Sequence, residues 1–380
     1  MKLLIMQHNL NERGGAERVI LKIAQHYDAK IYTLGYEPDS TFEGFKALDI
    51  EVFAKRGVLN RAMPQVIANG VHYGTNFLRL KVREDYDVIN AHMSPSEWSR
   101  NKNERVLWYV HTPPREIFDP GIGAVRKRPA HERLAYDALS LFYRRIESSM
   151  VNRIEGIATN SATTNKRLKK YLHRSGTVIS PGVDCKDFRN DGDGKYFIYH
   201  SRIDRMKRQE YAISAFEQFL RLSKDKDYKL ILSGTLSKRY RSSAEYYDTL
   251  KAMHARNVVF KLNPSDAQVR SLYANCTALL FTPINEDFGI VPLEAMASSK
   301  AVIAVNEGGP SETVLQGKTG FLIDSQSGMA RKMLFLAEHR SAAEEMGRQG
   351  RHRVEQAYSW GNFFRGFDAL ARNVAKGNRD

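Results

Sequence analysis

Short apolar runs rich in β-branched residues alternate with amphipathic stretches along almost the whole chain. "KLLIM" (2–6), "AKIYTL" (29–34), "YDVINA" (86–91) and "RVLWYV" (105–110) have the length and composition of buried strands. Helical periodicity fills the segments at 15–27, 62–82 and about 130–153. "GIATNS" and "TVISPGVD" add two strands around a basic helix at 161–173.

The polar, glycine-containing stretch "DCKDFRNDGDGKY" (184–196) then reads as a linker. After it the alternation restarts: "YFIYHS", a helix at 209–224, "YKLILSG", a helix at 242–255, "NVVFKL", a helix at 265–275, "ALLFTP", a helix at 289–299, "AVIAV" and "GFLID". Strands that alternate with helices form parallel sheets from βαβ units. Two such series predict an α/β protein of two doubly wound domains, 1–185 and 186–360, with a cleft between them. In such domains ligands sit beyond the carboxyl ends of strands. The last 40 residues read as a closing helical segment, of which the helix at 361–380 is expected to pack back on the N-terminal domain. Tyr358, Trp360, Phe363, Phe364 and Phe367 are spaced for one helical face and read as core.

Length and composition fit this organisation. At 380 residues the chain exceeds the usual single core, and 42% hydrophobic with 27% charged residues suits a globular protein. No apolar run approaches the roughly 18 residues that span a bilayer, and "MKLLIMQHN" reads as a first strand, not a signal peptide. Two cysteines without metal-type spacing, Cys185 and Cys276, favour a reducing, cytoplasmic setting.

Charge changes the picture more. The formal net charge is +15, and residues 121–180 hold 12 Lys+Arg against 4 Asp+Glu. Nucleic acid, anionic lipid headgroups and phosphorylated small molecules all suit such a surface. There is no aromatic-interleaved basic stripe and no known nucleic-acid module, so nucleic acid is not expected as a partner.

The chemistry-bearing residues fall at strand-to-helix junctions. In "HNLNERGGAERVI", Gly14 and Gly15 open a helix straight after the first strand, where backbone can approach an anion or a sugar hydroxyl. A plain turn explains them equally well. In "HSRIDRMKRQEY", Arg202 ends a strand and Lys207 precedes a helix; an arginine fork with a lysine point charge suits a diphosphate. The competing reading is a solvated basic loop, since Arg205 and Arg208 lie there too. In "WYVHTPPREIFD", His111 ends a strand before two prolines, a position compatible with either a structural or a site histidine. "NEGGPSETV" repeats the strand–glycine–helix arrangement with Gly308, Gly309 and Glu312.

The run "NEDFGIVPLEAMASSK" (285–300) places Glu286 and Glu294 eight apart. On one continuous helix they would stand about 80° and 12 Å apart. With a loop-to-helix break at Gly289–Ile290 they can instead grip two parts of one extended ligand. Backbone N–H groups from Phe288 to Ile290 would then be available to a phosphate, while a helix-end carboxylate is the plainer reading of Glu294.

Three other patterns carry little. "QGKTG" (316–320) has Glu312 where a P-loop needs glycine. "DGDG" (191–194) is ordinary turn chemistry, so no metal site is assigned. "NCT" (275–277) is a glycosylation sequon in a stretch expected to be buried.

Taken in order, Gly14-Gly15, His111, Arg202…Lys207, Glu286-DFGIVPL-Glu294 and Gly308-Gly309 resemble the retaining family 4 glycosyltransferases with the GT-B fold, two Rossmann-like domains facing a central cleft. The resemblance spans nearly the whole chain. It implies that Arg202 and Lys207 hold the donor diphosphate and that Glu294 binds the ribose hydroxyls. Glu286, with backbone from Asp287 through Phe288 and Gly289 to Ile290, would grip the sugar. Gly15 beside Gly14 would approach the donor phosphate, and His111 would sit next to the transferred sugar.

Within the family, "HTPPREIFD", "HSRIDRMKR" and "EDFGIVPLEAMA…GGPSETV" look most like mannosyltransferases that use GDP-mannose and build lipid-linked or surface glycans. Ser201 stands where many members have glycine, and Ser299 replaces the usual glycine before the next strand, a change that concerns helix termination. The resemblance implies a metal-independent, cofactor-free hexosyltransferase, cytoplasmic and peripheral on an anionic membrane. A UDP-sugar donor, and a GT-B epimerase or hydrolase acting on a sugar nucleotide, remain as alternatives; a basic nucleic-acid-binding protein is the reading from a different class.

Overall fold

Every strand pairing among the described residues is parallel, as the strand–helix alternation requires. The computed structural model describes residues 1–54, 65–119, 130–236, 241–253 and 256–377. Residues 62–64 of the expected helix at 62–82 lie outside these. The chain divides into two compact units, Met1–Ser180 with Phe364–Asp380, and Pro181–Phe363.

Unit 1 runs β1 (Leu3–Gln7), α1 (Gly15–Tyr27), β2 (Lys30–Thr33), β3 (Ile50–Val52), α2 (Gln65–Arg79), β4 (Val88–Ala91), β5 (Val106–Val110), α3 (Arg115–Phe118), α4 (Ala130–Val151), β6 (Gly156–Thr159), α5 (Ala162–Leu172) and β7 (Thr177–Val178). The sheet order is β3-β2-β1-β4-β5-β6-β7. β1 is the pivot, because the chain builds outward to β3 on one side and then crosses to β4 on the other. Loops leaving β1 and β4 therefore diverge and open a crevice at the carboxyl ends of the strands. All five residues of β5 are buried, and Trp108 packs with Phe77, Ile89 and Leu168 in the core.

Unit 2 runs β8 (Tyr196–His200), α6 (Gln209–Leu222), β9 (Lys229–Gly234), α7 (Arg241–Ala252), β10 (Val258–Leu262), α8 (Asp266–Asn275), β11 (Ala278–Phe281), α9 (Ile290–Ala297), β12 (Ala301–Val305), α10 (Pro310–Thr313), β13 (Gly320–Ile323), α11 (Gln326–Glu338) and α12 (Arg340–Ala357). Its order, β10-β9-β8-β11-β12-β13, makes β8 the pivot and puts the crevice between the ends of β8 and β11. Phe197, Phe216, Phe219, Leu230, Ile303 and Met333 fill one side of this sheet.

The final helix, α13 (Trp360–Ala375), begins in unit 2 and continues in unit 1. The aromatic stripe is therefore core, but it is shared: Tyr358, Trp360 and Phe363 are buried residues of unit 2, and Phe367 is a buried residue of unit 1. Phe364, also in unit 1, stacks on His26 with ring centroids 3.8 Å apart.

Two local readings change. "TVISPGVD" is a strand only at Thr177–Val178; Ile179 N still donates to Thr159 O at 2.8 Å, and Pro181, lacking an N–H, cannot extend the ladder. The polar stretch 184–196 packs as part of unit 2: Thr277 Oγ1 donates to Asp193 at 2.6 Å and Gly194 N to Asn275 O at 2.7 Å. Both cysteines are free. Among the described residues no helix is long and apolar enough to cross a membrane.

Candidate functional site

The loops that leave β8, β11 and β12 carry the basic, acidic and glycine motifs of unit 2. Lys207 ends a short 3-10 turn, Arg205–Lys207, whose cap Asp204 accepts from Met206 N at 2.8 Å. Its carbonyl accepts hydrogen bonds from the Tyr199 hydroxyl on β8 and from Thr282 Oγ1 just past β11, the latter at 3.1 Å. The turn is thus pinned to both strands that flank the crevice. From there the ammonium of Lys207 reaches Glu286 Oε2 at 2.6 Å, with the side chains 21% and 24% exposed.

Arg208 is not a solvated charge. Its Nε donates to Thr282 O at 2.7 Å and its guanidinium pairs with Glu307 at 3.1 Å. Arg205 is exposed and lies over the Tyr246 ring. Arg202 is exposed, and its carbonyl accepts from the buried Gln209 side chain at 2.7 Å.

Glu286 owes its position to the glycine pair. Gly309 N donates to Glu286 O at 2.8 Å. Gly308 has φ +64, and a Cβ there would stand 2.2 Å from Glu286 O; on Gly309 it would stand 2.1 Å from Phe288 O. The two loops therefore stack backbone on backbone. α9 starts at Ile290, after Gly289 with φ +81, and no side chain caps it. The continuous-helix geometry is thus absent. Phe288 is buried, Asp287 and Ile290 are half-buried, and Glu294, 5% exposed, accepts from the Tyr273 hydroxyl at 3.1 Å. Tyr273 meets the ring of His200, which ends β8 and lies 3.2 Å from Ser233 Oγ. Within unit 2 the structure joins Lys207 directly to Glu286, and ties Glu294 to α8 through Tyr273.

Unit 1 holds the remaining residues past the carboxyl ends of β1 and β5. Gly14 caps α1, and a Cβ on it would meet Glu17 Oε2 at 2.4 Å, so the helix's own carboxylate folds over this end. A Cβ on Gly15 would meet nothing within 4 Å. A Cβ on Gly14 would thus displace the Glu17 carboxylate, whereas the space at Gly15 is open. His111, just past β5, is buried and lies 3.0 Å from His92 Nδ1 through its Nε2, with the rings stacked. One ring donates and the other accepts. Burial pushes the His111 imidazole down to about 3, and burial, then the neighbouring His111, holds His92 well below the ordinary value. Both are neutral imidazoles in the ordinary pH range.

Sequence reasoning missed His92, Thr282 and Tyr273, and named Arg208 only as part of a possible solvated basic loop. The signal for His92 was present: "INAHM" and "WYVHT" each end a buried strand in histidine, and β4 pairs with β5 in the register Ala91–Trp108. Nothing local marks Tyr273, which reaches the site from a helix that is otherwise surface and core. Among the described residues no group of three or more His, Cys, Asp or Glu is placed to hold a metal ion.

Residues 13–187 match the sequence profile described as Glycosyltransferase Family 4, and residues 184–353 that of Glycosyl transferases group 1. The chain is 26% identical to the alpha-1,3/1,6-mannosyltransferase ALG2 of Dictyostelium discoideum, over 95% of this chain and 96% of that protein. It is 29% identical to ALG2 of Mus musculus, over 91% of this chain and 90% of that one. Among solved structures, Anabaena Alr3699/HepE in complex with UDP and glucose has a TM-score of 0.73 at 18% identity, covering 97% of this chain and 98% of its own. That likeness concerns the fold, and it agrees with two parallel Rossmann-like sheets. The chain belongs to the family 4, group 1 glycosyltransferases and has the paired Rossmann-like domains of the GT-B fold.

Proposed function

We propose that the protein transfers mannose from GDP-mannose to a lipid-linked or surface glycan, with retention at the anomeric carbon and without a metal ion. The observation that carries this reading is the likeness to alpha-1,3/1,6-mannosyltransferases over 91% or more of the chain, which includes both units. The site chemistry supports it. Lys207 and Arg202 would neutralise the diphosphate. Glu294, fixed by Tyr273, would accept from the ribose hydroxyls, and Glu286 with the backbone of 287–290 would accept from and donate to the sugar. Gly15 leaves room for a donor phosphate, and neutral His111 would stand beside the sugar.

In a front-face step, the bond from the anomeric carbon to the diphosphate breaks as the acceptor oxygen bonds to the same face. The acceptor's proton passes to the departing phosphate oxygen. The protein's part is positioning, and Lys207 stabilises the charge that develops on the leaving group. Exposed Lys166, Lys169 and Lys170 on α5 would favour an anionic membrane surface at about 1 kcal/mol each.

The test offers GDP-mannose, UDP-glucose and UDP-N-acetylglucosamine, with and without chelator, and reads product mass and anomeric configuration. Retained mannosyl transfer in chelator is expected. Preference for a UDP-sugar would overturn the donor, loss of turnover in chelator would overturn metal independence, and donor consumption without any acceptor would favour an epimerase or hydrolase.

A further inference from the structure

We propose that the groove between α2 and α4 of unit 1 binds the hydrocarbon chain of a phosphate-bearing lipid, and so seats the tail of the acceptor. This deepens the function proposed above and rests on it for the source of the chain. The groove has a volume of about 290 Å³. Val71 and Leu78 line it from α2, Leu139 and Phe142 from α4, and Trp98 lies between them. An apolar cavity of about 150 Å³ stays dry and takes up benzene, so this one has room for a longer piece of hydrocarbon.

The floor is built, not incidental. Gly74 lets Trp98 approach α2, since a Cβ there would stand 2.5 Å from the indole. On the other side the indole N–H donates to Glu147 Oε2 of α4 at 2.5 Å. Ser94 Oγ lies within 3.1 Å of the same carboxylate and 2.9 Å from the Tyr143 hydroxyl, which turns that polar atom away to a protein partner. Thr75 Oγ1 is likewise spent on its own helix, donating to Val71 O at 2.6 Å. The buried Ser140 hydroxyl, without a partner among the described residues, is the polar interruption of the α4 wall.

Walls so poor in donors and acceptors suit a ligand with no polar groups of its own. A peptide buried there would leave N–H and C=O groups unpaired. At the mouth, the lining residues Phe142 and Val71 are 65% and 46% exposed, so the apolar surface of the groove opens to solvent. Exposed Arg79 ends α2, exposed Lys81 and Arg83 follow it, and exposed Arg145 lies on α4 beside the lining residue Ile146; none has a carboxylate partner among the described residues. An apolar slot whose two helices carry or lead into exposed cations suits a hydrocarbon chain ending in phosphate.

The experiment measures farnesyl monophosphate binding to the full chain by calorimetry, with inorganic phosphate as comparator. Farnesyl monophosphate should bind saturably and inorganic phosphate at least ten-fold more weakly. Thr75→Trp and Leu139→Trp fill the groove from opposite walls, and each should weaken binding at least ten-fold. Leu141→Ser, beside the groove but not lining it, should bind as the parent does. Unchanged affinity in both filled variants, or an equal loss in Leu141→Ser, would overturn the groove in favour of general surface adsorption. Transfer from GDP-mannose to a short water-soluble acceptor is scored separately. If that transfer is intact and farnesyl monophosphate does not bind, the groove alone is wrong. If the groove binds and no mannose moves, the donor reading is wrong and the groove stands.

Discussion

Lys207 and Glu286, 79 residues apart in the chain, meet at 2.6 Å across the crevice of unit 2. The pair joins the residue assigned to the diphosphate with the residue assigned to the sugar. Because both side chains are partly exposed, the ion pair itself is worth at most about 1 kcal/mol of stability. Lys207→Ala should therefore leave thermal unfolding nearly unchanged while lowering kcat by about 10²–10³, the usual cost of losing one group that stabilises transition-state charge. Turnover near the parent's would refute the leaving-group role.

Two glycines separate folding from function. Ala at position 15 meets no atom and favours the helix, so Gly15→Ala should hold or raise stability, by up to about 1 kcal/mol. If a donor phosphate lies against that backbone, nucleotide affinity should still fall. Gly308→Ala should do the reverse first: the left-handed backbone alone costs about 1–2 kcal/mol, and the clash with Glu286 O adds to it. Denaturant unfolding with nucleotide titration on both variants separates the two effects.

Ser299 adopts φ +53 just after α9, where glycine would be unstrained. Ser299→Gly should raise stability by about 1 kcal/mol with turnover unchanged, which places the departure from the family pattern in helix termination. A drop in the unfolding midpoint would contradict this.

His111 takes up a proton far more readily in the unfolded chain than in the fold, where burial holds it near 3. Its contribution to stability is complete above about pH 6.5 and is lost as pH falls below that value. The pH–rate profile should accordingly show no limb near 6.5 from this residue. Ring chemical shifts in NMR should keep His111 neutral to at least pH 5.

Glu97 behaves with the opposite sign. Burial, then the charge of Glu147, pushes its carboxyl well above the ordinary range, so the fold keeps a proton that the unfolded chain releases. Stability falls as pH rises above about 4.5, at about 1.4 kcal/mol per pH unit for one proton. Glu97→Gln removes that release. Its unfolding midpoint should match the parent's near pH 4 and rise above it by pH 7; parallel pH curves would disprove the shared burial.

The strand ends were legible because buried parallel strands are short continuous apolar runs, and the candidate site residues follow them directly. Hence Lys207, Glu286 and His111 could be located without a structure. Partners brought in from elsewhere could not. Tyr273 reaches Glu294 from α8, and Thr282 supports the Lys207 turn through its side chain, with nothing in either local pattern to mark them. Helix α11 escaped notice, and α12 was read only as part of a closing helical segment over the last 40 residues, because it buries only Met346, two glycines and Val354, too sparse a stripe for its own periodicity to show. The glycine pair at 308–309 was visible as a motif, but its purpose, backbone packing under Glu286, depends on two loops that only the sheet order brings together.

Unit 1 is discontinuous. Val374, near the end of α13, presses on Gly156 in β6, and Asp368 bonds the Tyr27 hydroxyl of α1. On a ribosome the second domain can close as soon as residue 363 has emerged, while the first must wait for residues 364–374. Although unit 1 is translated first, it is completed last, and until then the surface around Gly156 and Tyr27 stays uncovered and available to chaperones.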